Sequence, residues 1–176
     1  MDITELTVTA GRIATLLRER GETVAVAEGS AGGLISTALL SVPGASAYYL
    51  GGAVVYTRQA VKAFMAGPIE RPTGMRGATE GFATYLARSA AAQVGSTWAI
   101  SEAGAAGPPN PYGDPAGHCW IAVSGPTDSL TTRHVLTGLD DRSTNMVAFA
   151  AAALALLEET VSAAPPSTAP VSGSSS

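Results

Sequence analysis

Residues 23–36 read TVAVAEGSAGGLIS. A short β-branched and apolar run leads into an acid. Small residues follow, and then a second apolar run begins. This is the pattern of a buried strand that hands the chain to a helix through a tight glycine turn. Working outward, residues 4–20 carry Leu6, Ala10, Ile13, Leu16 and Leu17 at helical spacing, and Gly21 stops that helix. Thr23–Ala27 is the strand, and Leu34–Leu40 is a helix that Pro43 and Gly44 end. Ala47–Thr57 reads as a strand holding a glycine pair, which marks a bulge or a close backbone approach.

Further along, Ala60–Met65 reads as a short helix, Gly67–Gly77 as a loop and Glu80–Gln93 as an Ala-rich helix. Thr97–Ser101 is a strand, followed by a glycine–proline loop over Gly104–Gly117. HCWIAVSG and SLTTRHVL then form an antiparallel hairpin turning at Pro126–Asp128. A long Ala-, Leu- and Val-rich helix spans Asp140–Glu159. Strands alternating with helices, with a late hairpin, predict an α/β fold. The expected form is a three-layer α/β/α sandwich around a mixed, mostly parallel sheet. One domain is expected over residues 1–161. Residues 162–176, rich in Pro, Ser and Ala, read as a disordered tail.

Composition narrows the function. Of 176 residues, 46% are hydrophobic and 14% charged, enough for a real core under a lightly charged surface. A net charge of −4 and the lack of a basic stripe argue against nucleic acid. No run approaches the roughly 20 apolar residues of a membrane span. The N-terminal stretch does not read as a signal peptide. A cytoplasmic protein is therefore expected, without a membrane partner. Cys119 is the single cysteine, and His118 and His134 stand without acids at ligand spacing, so no metal site and no cofactor are expected. Of the ten basic residues only Lys62 is a lysine, and arginine does not serve as a proton-transfer base.

Ligands of such sheets bind outside the carboxyl ends of the strands. Two turns qualify, Glu28–Gly33 and Glu102–Pro108. In the first, Ser30 sits where a helix begins, and free backbone N–H groups there favour negative charge. Gly29, Gly32 and Gly33 admit a ligand to the backbone. The plainer reading of Ser30 is a helix cap. Tyr56 ends a strand, and Lys62 lies on the helix after it. A buried lysine can activate a serine; otherwise Lys62 is a solvated surface residue. The Gly104–Gly117 loop has little bulk and suits backbone contacts to a phosphate or sugar. Asp140 or Asp141 caps the last helix. Arg142 beside them pairs with a phosphate or an acid, or simply sits at the surface.

The blocks AEGSAGGLI, SVPGASA, GGAVVYT, GAAGPP and PAGHCWIAV, in that order, resemble the CinA C-terminal domain family over about residues 5–160. The resemblance implies an α/β/α fold, a homo-oligomer and nicotinamide mononucleotide deamidation, which releases ammonia and leaves the acid. The family's turn is Ala-Glu-Ser-Cys-Thr-Gly-Gly, with the serine after Glu as nucleophile. Here Gly29 stands in that place, Ser30 in the next and Ala31 at the threonine. The family's lysine follows its tyrosine by five positions. Counting from Tyr56 reaches Val61; counting back from Gly67 reaches Lys62. Either Val61 has replaced the lysine, or one inserted residue leaves Lys62 in the role. In the Thr-Gly-x-Ala-Gly-Pro block, Ala103 takes the threonine's place, before Gly104 and Gly107.

Two functions follow. In one, Ser30 attacks the amide, Lys62 takes the proton, Tyr56 assists and turn amides hold the oxyanion. Glu28, Gly29, Ala31, Gly32, Gly33, Ala103, Gly104, Gly107 and Arg142 line the substrate. In the other, the same pocket binds a nucleotide-like molecule or a protein partner and turns nothing over.

Overall fold

A computed structural model describes residues 3–167. The elements run α1 (Ile3–Arg20), β1 (Val24–Glu28), α2 (Leu34–Leu40), β2 (Tyr49–Val54), α3 (Arg58–Phe64), α4 (Glu80–Val94), β3 (Trp98–Ala105), β4 (His118–Ser124), β5 (Leu130–Leu136) and α5 (Arg142–Ala163). The sheet order is β2-β1-β3-β4-β5. β1 pairs in parallel with β2 and β3, while β4 pairs antiparallel with β3 and β5. β4 is thus the one strand running against the rest, and the mixed sheet carries helices on both faces.

Alternation along the strands sorts the core into two layers. Val24 and Val26 of β1 and Ile100 of β3 face Leu6, Ile13 and Leu17 of α1 and Phe149, Leu154 and Leu157 of α5. Ala25, Ala27, Ala99 and Ala103, from the same strands, face Phe82, Tyr85 and Leu86 of α4 and Val61 of α3. The small residues on this second face let α4 lie close to the sheet. α5 has the length and apolar composition of a membrane-crossing helix. Here its Phe149, Ala150, Ala153, Leu154 and Leu157 are fully buried against the rest of the fold.

The helix ends follow from local chemistry. Thr57 Oγ1 accepts from Ala60 N at 3.1 Å, and Thr79 Oγ1 from Phe82 N at 3.3 Å. Asp141, not Asp140, caps α5, accepting from Thr144 N at 2.8 Å. The glycine pair in β2 serves both expected purposes. The register shifts beside Leu50, and a Cβ on Gly52 would lie 2.7 Å from Ser36 Oγ of α2.

Several boundaries differ from the sequence reading, and three of them bear on the site or the tail. β2 begins at Tyr49, because Ala45–Ala47 closes into a 3-10 turn. β3 runs on to Ala105, so Glu102–Ala105 are strand rather than loop. They are drawn into the sheet by β4, which pairs them with Ile121, Trp120, Cys119 and His118. α5 continues to Ala163, inside the stretch expected to be tail, and Ser167 N–H donates to Glu22 Oε1 at 2.6 Å. Residues 168–176 of that expected tail lie outside the described residues.

Candidate functional site

At the carboxyl ends of β1 and β3, in-register partners Glu28 and Glu102 stand on adjacent strands. Both are fully buried. Glu28 is committed to the start of α2. It accepts from Ile35 N at 3.1 Å, Ser36 N at 3.0 Å and Ser36 Oγ at 2.6 Å. Gly33, at φ 99°, begins that helix. Gly32, at φ 67°, leaves room for Met146 of α5, whose Cε would be 2.7 Å from an added Cβ.

Glu102 organises the turn itself. Ser30 Oγ–H donates to its Oε1, and Ala31 N–H to its Oε2 at 2.7 Å. Gly29 N–H bonds the Glu102 carbonyl at 2.9 Å. Burial pushes the Glu102 carboxyl up to about 7, against the lowering effect of Ser30 and the Ala31 amide. Sequence reasoning included Glu102 in a turn and gave it no role. The signal was there: a lone acid in a stretch of apolar and small residues, WAISEAGA.

Ala103 and Val61 pack on the other face of the sheet, and Gly29 adjoins Ala103. A Cβ on Gly29 would lie 3.4 Å from the Glu102 carbonyl oxygen and 3.9 Å from Ala103 Cα. Ala103 and Val61 belong to one buried apolar cluster with Val55 and Phe82. Lys62, about 100° further round α3, is exposed. The fifth position after Tyr56 therefore faces inward as Val61, and Lys62 faces out. The structure does not bring Ser30 and Lys62 together: Ser30 gives its proton to Glu102, on the face that carries α2.

Tyr56, Arg142 and the glycine–proline loop do come together. Tyr56 lies just past β2, and its hydroxyl accepts from Arg142 Nη2 at 2.9 Å. Arg142 Nη1 donates to the Gly107 carbonyl, and the guanidinium carbon sits 5.8 Å from the Tyr56 ring centre. Gly104 is locked in β3, where any Cβ would collide with Cys119 and the His118 carbonyl. Asn145, which sequence reasoning passed over, anchors the loop from inside. Its Nδ2 donates to the Ala106 carbonyl at 2.7 Å and the Leu139 carbonyl at 2.9 Å.

The remaining candidates are structural. Cys119 is fully buried, which pushes its thiol far above the ordinary range. His118 Nε2 lies 2.9 Å from the Ala78 carbonyl and its Nδ1 2.8 Å from His134 Nε2. Among the described residues, no group of His, Cys, Asp or Glu is placed to hold a metal ion.

Fold and site together define an α/β/α sheet protein in which the glycine turn after β1 packs against the end of β3. Residues 6–161 match the family model of the CinA C-terminal domain, and the chain belongs to that family. A CinA-like protein of Salinibacter ruber is 36% identical over 148 residues, covering 83% of this chain and 35% of that protein. A putative competence-damage inducible protein of Desulforamulus reducens is 35% identical over 115 residues, covering 65% and 28%. The chain thus spans about a third of the curated relatives it matches. The crystal structure of competence damage-inducible protein A from Klebsiella pneumoniae superposes with a TM-score of 0.81 at 26% identity, covering 93% of this chain and 99% of that one. The competence/damage inducible protein CihA of Agrobacterium tumefaciens gives 0.80 at 26% identity, covering 89% and 95%.

Proposed function

We propose that this protein is a non-catalytic CinA-family relative that binds a nucleotide-like small molecule, with nicotinamide mononucleotide the first candidate. The carrying observation is the identity of three positions: Gly29 beside Ala103, and Val61 packed in one apolar cluster with Ala103. The resemblance calls for a serine at Gly29, a threonine at Ala103 and a lysine at Val61 or Lys62, and of those two Val61 is the one packed with Ala103. Here Gly29, Val61 and Ala103 carry no hydroxyl and no amine, so these three positions supply no nucleophile or base. The arrangement of Tyr56, Arg142 and the Gly107 carbonyl supports retention of a binding scaffold. In this reading the protein works in the cytoplasm, as its composition suggests, and as a homo-oligomer, as the resemblance implies.

A second reading keeps the amidohydrolase. It is favoured by the Ser30–Glu102 pair and the near-neutral pKa of its carboxyl. Ser30 Oγ would attack the amide carbonyl while Glu102 takes its proton. Glu102 would then pass that proton to the leaving nitrogen as the C–N bond breaks, releasing ammonia. Water, deprotonated by Glu102, would cleave the resulting ester and free the acid and Ser30.

The test is ammonia release from nicotinamide mononucleotide by the purified protein, alongside its effect on thermal unfolding. The binding reading expects a rise in Tm and ammonia no higher than the blank. Turnover that disappears in both Ser30→Ala and Glu102→Gln would replace it with the second reading. Neither a Tm shift nor turnover would remove this molecule as the ligand.

A further inference from the structure

The chain carries a net charge of −4, yet three of its ten basic residues line one cavity of about 460 Å3. Arg58 reaches it from α3, and Arg71 and Arg76 from the loop between α3 and α4; Thr73 and Tyr112 also line it. Arg76 is matched by Asp114, through Nη1 at 2.5 Å and Nη2 at 3.2 Å. Arg58 and Arg71 have no carboxylate partner among the described residues. Arg58 Nη2 donates to the Tyr112 hydroxyl at 3.2 Å. Arg71 donates through Nη2 to the Met75 carbonyl, and its guanidinium carbon lies 5.3 Å from the Phe82 ring centre. Its Nε–H is buried with no acceptor. Native folds seldom leave a buried donor of a charged group unmet. The one carboxylate on the adjoining cavity, Glu70, shares that space with Lys62.

We propose that this cavity is a phosphate-monoester site. Two uncompensated guanidinium groups from separate segments match a dianion with three terminal oxygens, whereas a single guanidinium fork satisfies a monocarboxylate. Arg76, fixed by Asp114, and the Thr73 hydroxyl supply further donors. The Arg58–Arg71 wall is shared with a smaller space of about 190 Å3 that reaches Tyr56. The organic part of the ester extends that way, toward the strand ends. The proposal deepens the binding reading above and rests on it for the organic part of the ligand, not for the anion.

The test is calorimetric titration and thermal unfolding of the full chain with inorganic phosphate, against sodium chloride of matched ionic strength and against acetate. Arg58→Gln, Arg71→Gln and the control Arg133→Gln, whose side chain pairs with Glu159 outside the cavity, are compared. Phosphate should raise Tm saturably where chloride and acetate do not. Arg58→Gln and Arg71→Gln should each weaken it about tenfold, and the control should not. Because Arg58 is an exposed side chain, its variant keeps the test open if Arg71→Gln fails to fold. A shift matched by chloride or acetate, or untouched by the cavity variants, overturns the site. A second arm compares nicotinamide mononucleotide with nicotinamide riboside, which lacks the phosphate. Phosphate binding without nucleotide binding sustains the anion site and removes the nucleotide. Equal binding of nucleotide and riboside, with no phosphate effect, sustains the pocket and removes the anion site. No binding by any of them removes both.

Discussion

Replacing Glu102 by Gln should flatten a pH dependence of stability that the natural protein carries between mildly acid and mildly alkaline conditions. The Glu102 carboxyl is raised by burial from 4.5 to about 7 in the fold. Between those values the native protein keeps a proton that the unfolded chain has released. Stability is therefore full below the lower value and falls as pH rises through the upper one. Two to three pKa units, at about 1.4 kcal/mol each, amount to roughly 3 kcal/mol. For a domain of this size that corresponds to about 6–12 °C in Tm. The glutamine variant keeps a carbonyl oxygen to accept from the Ala31 amide, turns its NH2 to donate to Ser30 Oγ, and cannot ionise. The assay is urea unfolding of both proteins at steps from about pH 5 to about pH 8. Other titrating groups move both curves alike, so their difference isolates Glu102. The variant should gain on the natural protein as pH rises. Parallel curves over the whole range would show that Glu102 does not hold its proton in the fold, and the reasoning would fail.

Further expectations concern the elements that hold the pocket. Gly104→Ala drives a methyl group into Cys119 and the His118 carbonyl, and should cost about 1–3 kcal/mol in chemical denaturation. Asn145→Ala leaves the Ala106 and Leu139 carbonyls without their buried donor. It should lower stability by about 2 kcal/mol and speed amide exchange in the glycine–proline loop. Arg142→Ala releases the Gly107 carbonyl and the Tyr56 hydroxyl. It should cost on the order of 1 kcal/mol and shift the Tyr56 ring signals in NMR, with the far hairpin unchanged.

Most of the architecture was legible because hydrophobic period is a local property. Leu34–Leu40, the hairpin strands and the α4 and α5 helices follow from spacing, caps and glycine stops within a few residues. The β3 boundary was not legible, because what extends Glu102–Ala105 is pairing with β4, a contact made across the long glycine–proline loop. The same holds at the site. Glycine spacing pointed to the right turns, but the partner of Ser30 lies 72 positions away at Glu102. Which of Val61 and Lys62 is buried could not be read by counting, because it depends on how α3 packs; Val61 lies with Phe82 and Ala103, and Lys62 is exposed.

The strand order also dictates how the chain can assemble. In β2-β1-β3-β4-β5 the hairpin of β4 and β5 forms an outer edge of the sheet. A hairpin closes in microseconds, whereas joining β1 to β3 must first close a long intervening chain. The sheet is thus set to form in two parts, β1 with β2 and β3 with the hairpin, joined last at the β1–β3 seam. Substitutions in the hairpin should then slow folding, while equally destabilising ones confined to the β1–β3 seam should quicken unfolding and leave folding almost untouched.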